Sequence, residues 1–257
     1  MTDSVPDLHL LDTGQFFARY RYEPAADDET LSFDSNADVI DGYRRIDNIT
    51  DSALTRFAKA YPDLPITKDD IFFYVYGLLH SPEYRERYAS DLKKQLPRIP
   101  MVSGRDRFEA FADAGRKLSE LHIGYENVEP YPLTEVSPAF TPSDPFDKFE
   151  VKKMKYGGKA GAWDKTRIQY NSHIDIEGIP EDAQRYMLGS RSALDWIIER
   201  YQVKTDAASG IVNDPNDWSR EHEQPRYIID LIGRIVTVSS ETLKVVDALP
   251  DLNIAQS

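Results

Sequence analysis

The chain of 257 residues contains no cysteine, which excludes disulfide bonds, thiolate metal sites and cysteine nucleophiles. It has no run of about 18 apolar residues, the length a membrane span needs, and its start lacks the basic-then-apolar order of a signal peptide. We therefore expect a cytoplasmic protein without a membrane partner. Positive charge is also scarce, because 31 lysines and arginines stand against 44 aspartates and glutamates. Since the net charge of -13 repels polyanions, nucleic-acid binding would need a local basic surface.

Catalytic signatures are missing as well. The five histidines are far apart, and the glycines at 157–158 do not have the spacing of a phosphate-binding loop. A calcium-loop count from Asp214 ends on Pro225, where a glutamate is required. The carboxylates of Glu150, Asp214 and Asp217 leave a metal-dependent hydrolase as one alternative. We accordingly predict no catalytic residue, no metal site and no cofactor.

One stretch, residues 148–170, is strongly basic: it holds seven lysines and arginines against two carboxylates. Two runs with strand composition, 149–156 and 165–171, flank a glycine-containing loop, which predicts a β-hairpin. Strand alternation turns Met154 and Tyr156 inward and places Lys153 and Lys155 beside Lys165 and Arg167 on the outward face. A two-stranded ribbon fits the DNA major groove, and its lysines can neutralise phosphates.

The hairpin is therefore the first predicted DNA-binding surface, with Arg167 expected to contact a base, because a guanidinium can bind guanine bidentately. Its predicted contact residues are Lys152, Lys153, Lys155, Lys159, Trp163, Lys165 and Arg167. The next strand carries Asp175 and Glu177, which could pair with these cations and leave an ordinary solvated sheet face.

A second basic cluster, within residues 85–117, could form another wall of a nucleic-acid groove. Its predicted contact residues are Arg85, Lys93, Lys94, Arg98, Arg105 and Arg107. The alternative is a helix face with intrahelical ion pairs, which is equally compatible with the spacing.

The order of local signals predicts an α+β fold with a helical subdomain, a mainly antiparallel sheet centred on the basic hairpin, and C-terminal helices packed on that sheet. We expect an acidic, irregular segment over 1–50, in which FFARYRYEP is strand-like and AADDETLSFDSNAD forms a mobile loop, and helices over 51–124. Thr67 with Asp70 predicts the start of one of these helices, and Ser81 with Pro82 predicts the start of the next. A proline-rich surface connection over 125–147 then leads to the hairpin-centred part, 148–257. The long apolar run after Pro225 predicts a helix, interrupted near Ser239, with Leu231 in the core.

Five strings extend the interpretation beyond spacing: ITKDDIFFYVYGLLHSPEYRERYASDLKKQLPRIPM, AGRKLSELHIGYENVEPYP, KMKYGGKAGAWDKTRIQYN, SALDWIIERYQVKTDAASGIVNDPNDW and PRYIIDLIGRIVTVSSETLKVV. In this order they resemble the C-terminal target-recognition, or specificity, domain of Type ISP restriction-modification enzymes, over about residues 61–249. In these single polypeptides a nuclease, a helicase-like ATPase and an adenine methyltransferase precede that domain.

The resemblance implies a non-catalytic module that recognises a specific sequence in duplex DNA. Its other partners would be the upstream methyltransferase and helicase-like domains of the parent polypeptide. A module of the same enzyme that docks on protein, with the basic hairpin facing an acidic partner, remains the alternative.

Overall fold

The structure is a computed structural model that describes residues 1, 17–25, 39–137 and 142–255. It divides into two compact units, the first formed by residues 1–120 and 248–257 and the second by residues 121–247. Most of the predicted mobile loop, residues 26–38, lies outside the described residues. No helix in the described ranges is long and apolar enough to cross a membrane.

The first unit opens with a three-stranded antiparallel sheet. Its first strand falls within FFARYRYEP, which was predicted to be strand-like, whereas the other two strands lie in sequence predicted to be irregular. The strands are β1 (Tyr20–Pro24), β2 (Val39–Ile40) and β3 (Tyr43–Asp47), in the order β1-β3-β2. Asp41 and Gly42 join β2 to β3 with φ of 52° and 79°, so both residues take the left-handed conformation of a two-residue hairpin turn. An Asp-Gly pair is a preferred sequence for that turn, and this signal was present in the sequence.

Five helices follow, within the region predicted to be helical: α1 (Asp51–Ala60), α2 (Lys68–His80), α3 (Pro82–Arg87), α4 (Ala89–Leu92) and α5 (Arg105–Ile123). The Thr67 side chain accepts a hydrogen bond from the Asp70 N–H, and the Asp70 carboxylate accepts one from the Thr67 N–H. This reciprocal pair fixes the start of α2. Ser81 caps α3 through the Tyr84 N–H, with Pro82 in its first turn.

Two glycines let α2 and α5 approach at backbone distance. A Cβ added to Gly77 would overlap the carbonyl oxygen of Phe111, and one added to Gly115 would overlap that of Phe73. No larger residue fits at either position without moving a helix. The surrounding core is largely aromatic, with Tyr74, Leu78, Phe108 and Phe111 fully buried.

The last described residues also belong to the first unit, which corrects their predicted place in the hairpin-centred part. Ala255 donates its N–H to the carbonyl of Met101, Val102 and Ile254 form an antiparallel bridge, and Leu252 is buried in the aromatic core. The helical core therefore needs residues from both ends of the chain.

The second unit is built on a four-stranded antiparallel sheet of order β4-β7-β6-β5. Its strands are β4 (Thr134–Val136), β5 (Lys155–Lys159), β6 (Ala162–Gln169) and β7 (Asp175–Glu177). Two short hairpins are added, formed by β8 (Met187–Leu188) with β9 (Arg191–Ser192) and by β10 (Lys204–Thr205) with β11 (Val212–Asn213). The helices are α6 (Pro145–Phe149), α7 (Ala193–Arg200), α8 (Asn216–Glu221), α9 (Tyr227–Asp247) and a 3-10 helix, Glu181–Arg185.

The α+β class is confirmed, including the antiparallel sheet and the C-terminal helix packed on it. Met154, Tyr156 and Ile168 form the inner face of the sheet together with other buried residues, and Ile232 and Val236 of α9 pack in the same core. Leu231 is buried as predicted, but α9 runs without a break through Ser239, whose hydroxyl donates to the Ile235 carbonyl.

The proline-rich connection is more than a surface loop, because β4 pairs with β7 as an edge strand of the sheet. Just before β4, Tyr131 donates its N–H to the carbonyl of Gly233 in α9. Three residues free of proline, 134–136, suffice for a short edge strand.

Candidate nucleic-acid interface

The basic stretch forms the predicted hairpin, but its strands are placed differently along the sequence. Strand β5 begins only at Lys155, and Phe149 ends a short helix. Gly157 and Gly158 lie within β5, so the predicted glycine loop shrinks to a two-residue turn at Ala160 and Gly161. Glycine is required inside the strand as well: Gly158 has φ of 78°, and a Cβ there would overlap the carbonyl oxygen of Ala162.

The pairing register of β5 and β6 is interrupted next to this glycine pair. Because of this interruption, Lys165 does not stand beside Arg167 on the outward face as predicted. Tyr156 pairs with Ile168 and Gly157 with Asp164, so residues 165–167 of β6 have no partners on β5. Alternation along β6 is therefore interrupted between Asp164 and Arg167, and it holds from Arg167 onward, where β6 pairs with β7.

Lys165 consequently turns toward α7 instead of standing beside Arg167. Its ammonium lies 3.1 Å from Asp195 Oδ1 and 5.0 Å from the centre of the Tyr156 ring. Burial by itself would raise the pKa of Asp195, but hydrogen bonds from Lys165, the Ser192 backbone and Tyr156 hold that pKa below its usual value. Burial, together with this carboxylate, raises the pKa of Tyr156. Lys165 is thus ion-paired with a carboxylate of its own chain.

Arg167 does face outward, on the side of the sheet opposite the buried core, here called the open face. Its guanidinium lies 3.4 Å from Asp175 and 3.7 Å from Glu177 on the neighbouring strand. The solvated sheet face considered as an alternative therefore holds for this arginine. Contact with guanine would require breaking two ion pairs, so the structure gives no support to Arg167 as the base-contacting residue.

Three other cations on the stretch are exposed and form no ion pair within the described chain. Lys153, Lys155 and Lys159, here the hairpin lysines, are exposed, and no carboxylate in the described chain lies within 4.0 Å of their ammonium groups. Lys152 is exposed too and lies 3.7 Å from Glu150. Trp163 lies opposite Gly158 near the tip of the hairpin and is 49% exposed.

Two of the hairpin lysines, Lys153 and Lys155, border a cavity of about 560 Å³ beside the open face. Its lining residues are Asp147, Glu150, Lys152, Lys153, Lys155, Gln169, Asn171, Ser172, His173 and Asp175. Lysines and carboxylates both contribute, so the cavity is polar without one dominant charge. Gln169 was not among the predicted contact residues, although the alternation that turned Arg167 outward also placed Gln169 on that face.

The carboxylates considered for a metal site do meet, but around an arginine. Arg220 lies 3.2 Å from Glu150, 3.3 Å from Asp214 and 3.2 Å from Asp217. Within the described ranges no group of three histidines, aspartates or glutamates is arranged to hold a metal ion. The buried Asn216 stabilises this turn through two hydrogen bonds. Its side-chain amide accepts from the Val151 N–H at 2.9 Å and donates to the Val151 carbonyl at 2.8 Å.

The second predicted cluster lies in the first unit and has a mixed character. Arg105 pairs with Glu109 one helical turn away, while Arg85 and Arg107 donate to backbone carbonyls. The helix-face alternative therefore describes Arg105. By contrast, Lys93, Lys94 and Arg98 are exposed, and within the described chain none of them has a carboxylate at ion-pair distance.

The chain is similar to one described family and to several solved structures. The sequence model of the Type ISP C-terminal specificity domain matches residues 1–231. The ATP-dependent Type ISP restriction-modification enzyme LlaBIII, solved bound to DNA, is 32% identical with a TM-score of 0.72, over 92% of this chain and 14% of that chain. A search of curated proteins found no significant match.

Two further solved structures are similar. The nuclease-deletion mutant of the Type ISP restriction-modification enzyme LlaGI, in complex with a DNA substrate mimic, is 40% identical with a TM-score of 0.65, over 82% of this chain and 14% of that chain. The DrdV-DNA complex is 36% identical with a TM-score of 0.75, over 97% of this chain and 23% of that chain. The chain thus spans less than a quarter of each of these proteins.

Proposed function

The chain belongs to the family of Type ISP C-terminal specificity domains, and on that premise we propose that it recognises a target sequence in duplex DNA through the hairpin of its second unit. The observation that carries this proposal is the set of exposed, unpaired hairpin lysines, of which Lys155 and Lys159 lie on β5, the edge strand of the sheet, and Lys153 lies just before it. In a chain of net charge -13, nucleic-acid binding needs a local group of available cations, and the hairpin lysines form one. Each DNA phosphate that such a lysine neutralises releases counterions.

The cations of the basic stretch differ in whether they have carboxylate partners, and this difference supports the hairpin as the DNA-binding surface. Lys165 and Arg167 are held by carboxylates and shape the hairpin, whereas the hairpin lysines contact no carboxylate in the described chain. Phosphate contacts position a protein on the duplex, and base contacts provide the sequence preference. We therefore assign the hairpin lysines to phosphate binding, with Trp163 at the tip beside them.

The experiment is a double substitution, Lys153→Ala with Lys155→Ala, tested on a duplex that the 257-residue chain selects from a random pool. We expect weaker binding to all duplexes alike and a salt dependence, d log K/d log[salt], that is shallower by about 1.8, because each lost phosphate contact removes about 0.9. Titrations at several salt concentrations, with a nonspecific competitor present, measure both quantities.

The matched control removes the same charge elsewhere, through Lys59→Ala with Lys244→Ala, two exposed helical lysines outside both predicted surfaces. It should leave affinity and salt slope nearly unchanged. If the hairpin variant behaves like this control while still folded, the hairpin is not the DNA surface, and Lys93, Lys94 and Arg98 become the residues to substitute.

Catalysis, we infer, belongs to other parts of a larger polypeptide with nuclease, helicase-like ATPase and adenine methyltransferase domains. The small share of the similar restriction-modification enzymes that this chain spans supports a parent of that size. We expect the 257-residue chain to show no ATPase, nuclease or methyl-transfer turnover in standard assays. Turnover above background that a point substitution in this chain abolishes would contradict the inference.

A further inference from the structure

We propose that Gln169 reads an adenine of the target sequence. The proposal rests on DNA recognition by the hairpin and adds to it the residue that provides sequence preference at one position. Neither the predicted contact residues nor the similarity to other specificity domains points to Gln169. What does so is its place on the open face and the unused hydrogen-bonding capacity of its amide.

Gln169 lies in the middle of a row that crosses three strands. It pairs with Lys155 on β5 and with Asp175 on β7, and all three line the cavity beside the open face. Gln169 is the last residue of β6; Ile168 before it and Tyr170 after it are both buried on the inner face. The side chain of Gln169 therefore extends from a strand that is paired on both sides and anchored in the core, which is the support that a base-reading group requires.

The amide of Gln169 forms no hydrogen bond within the described chain, whereas nearby amides are fully used. Asn171 donates to the carbonyls of Lys148 and Glu150 and accepts from the backbone of His173 and Ile174. Gln184 accepts from Tyr156 and Ser192 and donates to the Lys165 carbonyl. Those two amides stabilise neighbouring loops and helices through their hydrogen bonds. The Gln169 amide forms none in the described chain, so its donor and acceptor remain available to a ligand.

The charges around Gln169 favour a base edge over a phosphate. Asp175 lies on one side of it, and both Asp175 and Glu177 are ion-paired with Arg167 on the same face, so the surface beside Gln169 offers no free cation to a phosphate. Lys155 and Lys153 stand toward the hairpin edge, where a phosphate can be bound. The row therefore changes from ammonium at the edge to amide and carboxylate at the centre. This order suits a duplex whose backbone contacts the edge while its base edges face the centre.

Among bases, the amide matches adenine. In the major groove adenine presents the N7 acceptor beside the N6 donor, and a glutamine amide satisfies both in one plane. Guanine presents two acceptors and suits arginine or lysine instead. The one arginine on the described open face, Arg167, is already bound by two carboxylates.

The test compares the wild-type chain with Gln169→Ala and with Gln169→Met, which keeps the length of the side chain. Each protein selects duplexes from a random pool. Both variants should lose preference for adenine at one position, by about 5- to 150-fold, while other positions keep theirs. Gln224→Ala, an exposed glutamine of the second unit outside both predicted surfaces, is the matched control and should select the wild-type sequence.

A chemical probe makes the assignment atom-specific. Replacing each target adenine in turn by 7-deazaadenine removes only the N7 acceptor. Wild type should bind more weakly when one particular adenine is replaced, and both Gln169 variants should be insensitive to that replacement. If the variants select the wild-type sequence, or are weakened by 7-deazaadenine at the same adenine as wild type, the assignment of Gln169 is wrong.

This failure is distinct from failure of the hairpin as the DNA surface. Loss of affinity on removing Lys153 and Lys155, together with an unchanged preference on removing Gln169, would keep the hairpin and reject the adenine contact. Wild-type behaviour of both sets of variants would reject both.

Discussion

Replacing Gly77 by alanine should destabilise the first unit by about 3 kcal/mol or more, the largest effect we expect from any single methyl group. The added Cβ would overlap the Phe111 carbonyl in the facing helix, and a backbone atom cannot move aside as a flexible side chain can. Overpacking costs about 1 to 3 kcal/mol where side chains adjust, and separating two helices costs more. Chemical denaturation followed by far-ultraviolet circular dichroism measures the loss.

The control is chosen on the same pair of helices. Lys117 is exposed on α5, and Lys117→Ala should change the unfolding free energy by less than about 0.5 kcal/mol. Gly115→Ala should repeat the Gly77 result, because its Cβ would overlap the Phe73 carbonyl from the opposite side. Wild-type stability in the Gly77 variant would mean that α2 and α5 do not cross at these glycines.

The second large effect is expected from Asn216→Ala in the second unit. Asn216 is buried, and its amide satisfies both the N–H and the carbonyl of Val151, a fully buried residue. Each buried polar group left unpaired costs about 1 to 3 kcal/mol, so we expect a loss of roughly 2 to 5 kcal/mol in thermal or chemical unfolding.

Asn213→Ala is the matched control, since Asn213 is exposed on the same turn-rich segment and should cost little. We expect Asn216→Ala to weaken DNA binding as well, because Val151 directly precedes Lys152 and Lys153. If the Asn216 variant unfolds like wild type, the bidentate amide contact with Val151 does not exist.

Local signals in the sequence predicted much of the helical part. Thr67 with Asp70 predicted the start of α2, and Ser81 with Pro82 predicted the start of α3, because capping involves only neighbouring residues. The inner face of the sheet was equally readable, since Met154, Tyr156 and Ile168 follow strand alternation in the region around the hairpin. Where one backbone rule governs a short stretch, the sequence specifies the structure without help from distant residues.

The candidate site was harder, because contacts far apart in sequence decide which cations stay available. Lys165 is bound by Asp195, thirty residues away, and only the interrupted register of β5 and β6 brings them together. Arg167 was correctly turned outward, but whether Asp175 and Glu177 would bind it depended on the pairing of β6 with β7. Likewise, Glu150 and Asp214 suggested a metal site in the sequence, but in the structure Arg220 forms ion pairs with both carboxylates.

The return of residues 248–257 to the first unit has a consequence for synthesis on the ribosome. Leu249, Leu252 and Ile254 complete a core whose other residues leave the ribosome before residue 121. At about 5 to 20 residues per second, the intervening stretch delays that completion by about 6 to 25 seconds. During this interval the aromatic core around Phe108 and Phe111 lacks part of its cover, while residues 121–247 can already begin to pack. The first unit is therefore the part exposed to chaperones and proteases, and a truncation after residue 247 would damage the unit formed mainly by residues that precede residue 121.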